Sequence, residues 1–259
     1  VLDELKQLGA GFDLVSGGEL ARALQIGADP KSLVFAGVGK SSAEIENALR
    51  AGVKCINVES ISELQRVNAI AKTLGLRAPI SLRVNPDVDA KTHPYISTGL
   101  KDNKFGVDFN QALSLYLDAK SMSYIDIKGI DCHIGSQITD LKPFEDSVKK
   151  LIALIDKLEA EGIKIKHMDI GGGIGISYED EKAIPFDDYA KAVSTLTKGR
   201  GFKILLEPGR IIMADAGAIL TKVEYVKKTQ DKNFAIIDAA MNDLMRPSLY
   251  GAFHKIVNT

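Results

Sequence analysis

Met168-Asp169-Ile170-Gly171-Gly172-Gly173 is a short apolar run that stops in three glycines. A run of this length bounded by glycine reads as a buried strand, and the glycines mark its end. The same pattern recurs on both sides. Lys203 to Leu206 ends in Glu207-Pro208-Gly209-Arg210, and Ile127 to His133 ends in Ile134-Gly135-Ser136-Gln137. Earlier come Phe12 to Ser16, Leu33 to Ala36, Cys55 to Val58 and Ile80 to Val84. Helical spacing fills the gaps, at Glu19 to Ile26, Ser41 to Ala51, Ile61 to Leu74, Asn110 to Lys120, Phe144 to Glu161 and Asp187 to Lys198. Ser41, Ser42 and Glu44 are residues of a helix start.

Seven short strands separated mostly by helices imply a parallel sheet with right-handed crossovers. Polar or glycine-rich groups sit at every strand's C-terminal end: Ser16-Gly17-Gly18, Gly37-Val38-Gly39, Glu59-Ser60, Asn85-Pro86, His133, Gly171 to Gly173, and Glu207. A ring of this kind suits a (β/α)8 TIM-type barrel, whereas a doubly wound sheet would gather them at one switch point. The expected fold is therefore an α/β barrel lacking its first strand. Val1 to Gly9 already has helical spacing, so the chain is read as an internal fragment beginning within a helix. After Arg210 the pattern changes to strands without long helices, Ala218 to Val226 and Asn233 to Asp238. Residues 1–213 are thus expected to form the barrel and 214–259 the truncated start of a β domain.

The 259 residues are 45% hydrophobic and 26% charged with a net charge of −1, ordinary for a globular protein and unlike a nucleic-acid binder. No apolar stretch is long enough to span a membrane. Cys55 and Cys132 both lie inside apolar runs, which reads as reduced core cysteines of a cytoplasmic protein.

Three glycines at a strand end present backbone N–H groups to an anion without an intervening Cβ. Gly209 offers a second such backbone, and Glu207 puts a carboxylate beside it. An anionic tail and a basic ring on one ligand satisfy both, because a carboxylate keeps a pyridine nitrogen protonated. Pyridoxal phosphate is such a ligand. A G-x-G-x-x-G fingerprint is absent, since Ile176 stands where its last glycine would be. The plainer alternatives are a tight turn at Gly171 to Gly173, a Glu207–Arg210 ion pair, a structural His133, and an exposed loop at Arg246 to Gly251. Ser136 and Gln137 directly after His133 favour a site there. Arg210 and Arg246 have the fork that grips carboxylates. No histidine and carboxylate spacing suggests zinc, so no metal is expected.

These strings resemble the diaminopimelate decarboxylases. The resemblance rests on Phe12-Asp13-Leu14-Val15-Ser16-Gly17-Gly18-Glu19, Cys132-His133-Ile134-Gly135-Ser136-Gln137, Asp169 to Gly173, Glu207 to Arg210, and Arg246 to His254, in order along the chain. Most are shared with the wider alanine-racemase-like, fold-type III pyridoxal-phosphate decarboxylases. The resemblance implies decarboxylation of meso-2,6-diaminopimelate to L-lysine by a cytoplasmic homodimer with shared active sites. It implies that His133 stacks on the cofactor ring and that Glu207 meets the ring nitrogen. Asp13, Ser136, Gly172, Gly173, Pro208, Gly209 and Arg210 would line the cofactor, with Ser136, Gly173 and the Glu207–Arg210 turn on its phosphate side. Arg210, Arg246 and Tyr250 would bind the distal end of the substrate. The family's Schiff-base lysine string has no match, and neither Lys40 nor Lys104 has the right neighbours. Its Cys-Glu-Ser segment would fall beyond Thr259. The polypeptide as it stands is therefore expected to be inactive alone. Remaining alternatives are a decarboxylase of ornithine, arginine or carboxynorspermidine, or a non-catalytic pyridoxal-phosphate-binding barrel.

Overall fold

The computed structural model describes residues 1–89, 104–178 and 182–258. Strands and helices alternate from the start: α1 (Leu2–Gln7), β1 (Phe12–Leu14), α2 (Gly17–Gln25), β2 (Leu33–Phe35), α3 (Ser42–Ala51), β3 (Cys55–Val58), α4 (Ile61–Leu74) and β4 (Ala78–Asn85). The series continues with β5 (Val107–Asp108), α5 (Phe109–Ser121), β6 (Ile125–Asp131), α6 (Lys142–Ala160), β7 (His167–Asp169), α7 (Phe186–Thr197) and β8 (Lys203–Leu205). It ends in α8 (Arg210–Met213), β9 (Val223–Lys228), β10 (Asn233–Ile237) and α9 (Arg246–Tyr250).

The seven expected strands pair in chain order, β1-β2-β3-β4-β6-β7-β8, and every pairing is parallel. Helices cross between them, so the polar strand ends all meet at one face of a curled, barrel-type sheet. The two-residue β5, paired to the end of β4, was not anticipated because it is too short to show a period.

Local chemistry explains the helix starts. Ser41 Oγ accepts from the Glu44 N–H while the Glu44 carboxylate accepts from the Ser41 N–H, a reciprocal capping box. Gly52, at φ 74°, ends α3 in the left-handed conformation. At α2 and α4 Ser16 Oγ and Ser60 Oγ accept from the N–H groups of Glu19 and Glu63, while those carboxylates accept from the N–H groups of Val15 and Glu59. The core lies where helices cover the sheet, with Phe35, Ile56, Ile80, Leu82, Tyr116 and Phe144 fully buried.

Three sequence expectations need correction. The first strand after the barrel starts at Val223 rather than Ala218, because β9 and β10 pair only from Val223↔Ile237 to Lys228↔Asn233. Arg246 to Gly251 is no irregular loop. Pro247 suits a first helical turn, and Gly251 at φ 58° closes it. Glu207 and Arg210 do not pair, since Arg210 turns to other partners.

Both cysteines are buried thiols. Cys55 Sγ lies 3.6 Å from Nε2 of His167, whose ring occupies the space a Cβ on Gly129 would need. Among the described residues no helix is long and apolar enough to cross a membrane.

Candidate active site

Three strand ends are pressed together at the polar face. A Cβ on Gly172 would strike the carbonyl of Glu207, and one on Gly173 would strike that of Gly135. A Cβ on Gly171 would lie 2.7 Å from both the Cys132 carbonyl and Nδ1 of His133. Glycine is required at 171 to 173 by this approach of backbones, beyond any demand of a turn.

The same contacts modify the expected bare anion nest. The Gly171 N–H donates to Oδ1 of Asp169 at 3.0 Å, and the Gly172 N–H to Nδ1 of His133 at 3.2 Å. Because Nδ1 accepts, the neutral ring carries its proton on Nε2. Burial, aided by Arg83, pushes His133 down to about 4, so it is neutral at physiological pH. After β6, Gln137 adopts a left-handed φ of 60° and clamps Ile176 through both amide groups, at 2.6 and 3.3 Å. The loops following β6 and β7 are thereby fixed to each other.

Inside this rim lies a carboxylate cluster. Oxygens of Asp131, Asp169 and Glu207 lie within 4.8 Å of one another. Burial raises Asp169 to about 6 against the lowering by its Gly171 bond and Arg83, while burial and then repulsion from neighbouring carboxylates raise Asp131 and Glu207 well above the usual range. Asp13 is raised to about 7, first by the protein around it and then by Asp169, although its side chain remains open to water. The sequence search for histidine spacing could not find this all-carboxylate group, since its members come from four strands or strand ends.

Arg83, missed from sequence, is the guanidinium that acts on all four. Its Nε lies 4.0 Å from Asp131, its Nη1 3.5 Å from Glu59, and its head 4.7 Å from the Phe105 ring centroid. The signal was a charged residue inside the apolar strand Ile80 to Val84, rare unless paired. Lys40 takes no part in the cluster's contacts. Its ammonium bonds the carbonyls of Gly37 and Asn57, at 2.6 Å each, and the Glu63 carboxylate at 2.7 Å.

A second grouping gathers the remaining residues. Arg210 Nη2 donates to Ser136 Oγ at 3.0 Å and Nη1 to the Tyr178 hydroxyl at 2.6 Å. The Arg246 guanidinium sits 5.5 Å from the Tyr178 ring and 5.8 Å from that of Tyr250. Arg210, Arg246, Ser136 and Tyr250 are therefore neighbours, and Tyr178, absent from the sequence expectation, joins them together with His254, the end of the string Arg246 to His254.

Known proteins resemble this chain along nearly its whole length. The chain is 57% identical over 258 residues to a diaminopimelate decarboxylase of Vibrio cholerae, covering 99% of this chain and 62% of that one. It is 53% identical over 253 residues to that of Pseudomonas aeruginosa, covering 98% and 61%. Among solved structures, diaminopimelate decarboxylase of Helicobacter pylori complexed with L-lysine matches with a TM-score of 0.95 and 48% identity, over 98% of this chain and 64% of that one. The chain thus spans a little over three fifths of the length of these curated relatives. The family of the pyridoxal-dependent decarboxylase, pyridoxal binding domain, matches residues 1–214, and to that family this chain belongs.

Proposed function

We propose that the whole protein decarboxylates meso-2,6-diaminopimelate to L-lysine with pyridoxal phosphate as cofactor. The observation that carries the choice of substrate is the pairing of Arg210 and Arg246 about Tyr178. Two guanidiniums flanking one ring attract a carboxylate and repel the cationic tail of ornithine or arginine.

The residues present fit the cofactor. Asp13, Asp131, Asp169 and Glu207 outnumber Arg83, and burial followed by repulsion between carboxylates raises Asp13, Asp131 and Glu207. A protonated pyridine ring supplies the missing positive charge. On the anion side, the N–H groups of Gly173, Gly209 and Arg210 donate no bond among the described residues. When bound, the cofactor supplies an electron sink for the pair left as CO2 departs.

The chain's own residues then take these roles. Glu207 holds a proton at the ring nitrogen, and His133 stacks on the ring as a neutral imidazole. The Gly172 N–H bond to His133 sets the plane of that imidazole. Ser136, Gly173, Pro208, Gly209 and the Arg210 backbone bind the phosphate side, and Asp13 lines the ring side. Arg210, Arg246 and Tyr250 receive the distal carboxylate of the substrate. Residues 1–213 form the cofactor-binding barrel, and 214–259 open a β domain whose exposed Leu220, Val223 and Tyr225 support burial by further protein. On this reading the protein is a cytoplasmic homodimer with shared sites.

The test is product analysis with the full-length gene product. Release of CO2 and L-lysine from meso-diaminopimelate, with little turnover of ornithine or arginine, is the expected result. Preference for ornithine would reverse the assignment.

A further inference from the structure

Tyr178 stands between the two guanidiniums, and the reading above gives it no contact with cofactor or substrate. Its hydroxyl accepts the 2.6 Å bond from Nη1 of Arg210. Its ring lies 5.5 Å from the Arg246 guanidinium and, edge-on, 5.9 Å from the ring of His254. The groups it touches come from separate segments: Arg210 opens α8, Arg246 opens α9 and His254 follows α9.

Two guanidiniums near one another repel, so an acceptor or π face between them is needed to hold them before an anion arrives. A phenol does this with two different surfaces. Its oxygen accepts from one cation, and its π face attracts the other. Around it, Nε of Arg210, Nε of Arg246 and Nε2 of His254 are buried and make no hydrogen bond among the described residues. Buried polar nitrogens in that state are uncommon, and three about one ring indicate an acceptor that arrives from outside.

We propose that Tyr178 is a specificity-determining positioning residue. It holds Arg210 and Arg246 in register for a carboxylate remote from the reacting centre, and so separates substrates bearing that carboxylate from plain diamines. The inference rests on the decarboxylase reading above and deepens it.

The full-length protein tests it with two variants and two inhibitors. Tyr178→Phe removes the acceptor for Arg210 and keeps the face, while Tyr178→Leu removes both. L-Lysine retains the remote carboxylate, and 1,5-diaminopentane lacks it. Loss of a hydrogen bond to a charged group predicts about a tenfold rise in KM for meso-diaminopimelate in Tyr178→Phe. A larger rise is expected in Tyr178→Leu. The inhibition constant for lysine should rise in step, while kcat stays within about threefold and the diamine's constant stays put. Unchanged KM and lysine inhibition in Tyr178→Phe would overturn the proposal, as would equal weakening of lysine and diamine. Should Tyr178→Leu fail to fold, Tyr178→Phe alone decides. If the wild type does not turn over meso-diaminopimelate, the decarboxylase reading fails by itself. Calorimetric binding of lysine and of the diamine to wild type and Tyr178→Phe then decides the role of Tyr178 separately.

Discussion

Lys40 carries its charge into the interior, with a side chain only 1% exposed, and three acceptors compensate it there. Removing one member of a buried ion pair strands the other. Lys40→Met should therefore cost about 3–5 kcal/mol of stability, read from the midpoint of urea unfolding. His167 poses the opposite problem, a base held neutral. Burial first, then Lys54 and Lys128, push it down to about 4 from its ordinary 6.5. Because the folded pKa is the lower one, its contribution is complete above pH 6.5 and declines as the pH falls toward 4. Relative to His167→Gln, the wild type should lose about 2 kcal/mol between pH 7 and pH 5. Parallel stability curves for the two proteins would contradict this. Single residues were also where sequence reading failed most. His133, Glu207, Arg210 and Arg246 announced themselves by their neighbours in the chain. Arg83 and Tyr178 did not, because their partners lie on other strands and helices and leave no local spacing to read.

Helix α3 illustrates how an element is both started and docked by one carboxylate. Glu44 Oε2 accepts from the N–H and hydroxyl of Ser41, while Oε1 accepts the Gly17 N–H at the start of α2. Ser41→Ala should cost about 1 kcal/mol, the usual value of a cap. Glu44→Ala should cost more, since it frees both the cap and the neighbouring helix. Denaturant midpoints at unchanged slope measure both. At this scale the sequence was most legible. Strands such as Cys55–Val58 and His167–Asp169 are short, buried and bounded by polar or glycine residues, and α3 displays its cap outright. Boundaries were legible only where capping chemistry set them. β9 begins at Val223 because its partner ends at Ile237, a pairing no property of residues 218–222 encodes.

At the scale of the molecule, the sheet runs from β1 to β8 with no pairing between those two among the described residues. Unpaired parallel edges recruit other chains. A polypeptide of these 259 residues alone should scatter light and unfold without cooperativity. A monomer with a sharp thermal transition would contradict that. With Lys40 engaged by three acceptors, borohydride should fix no pyridoxyl group to Lys40 at equimolar cofactor, as mass spectrometry would show. The crowding at Gly171, Gly172 and Gly173 has a further consequence for anyone redesigning the pocket. One added methyl at any of them collides with a neighbouring strand end, so this side of the pocket admits no tailoring. The segment from Arg246 to His254 is mostly exposed and belongs to a short helix and its tail. A new substrate preference has to be written there.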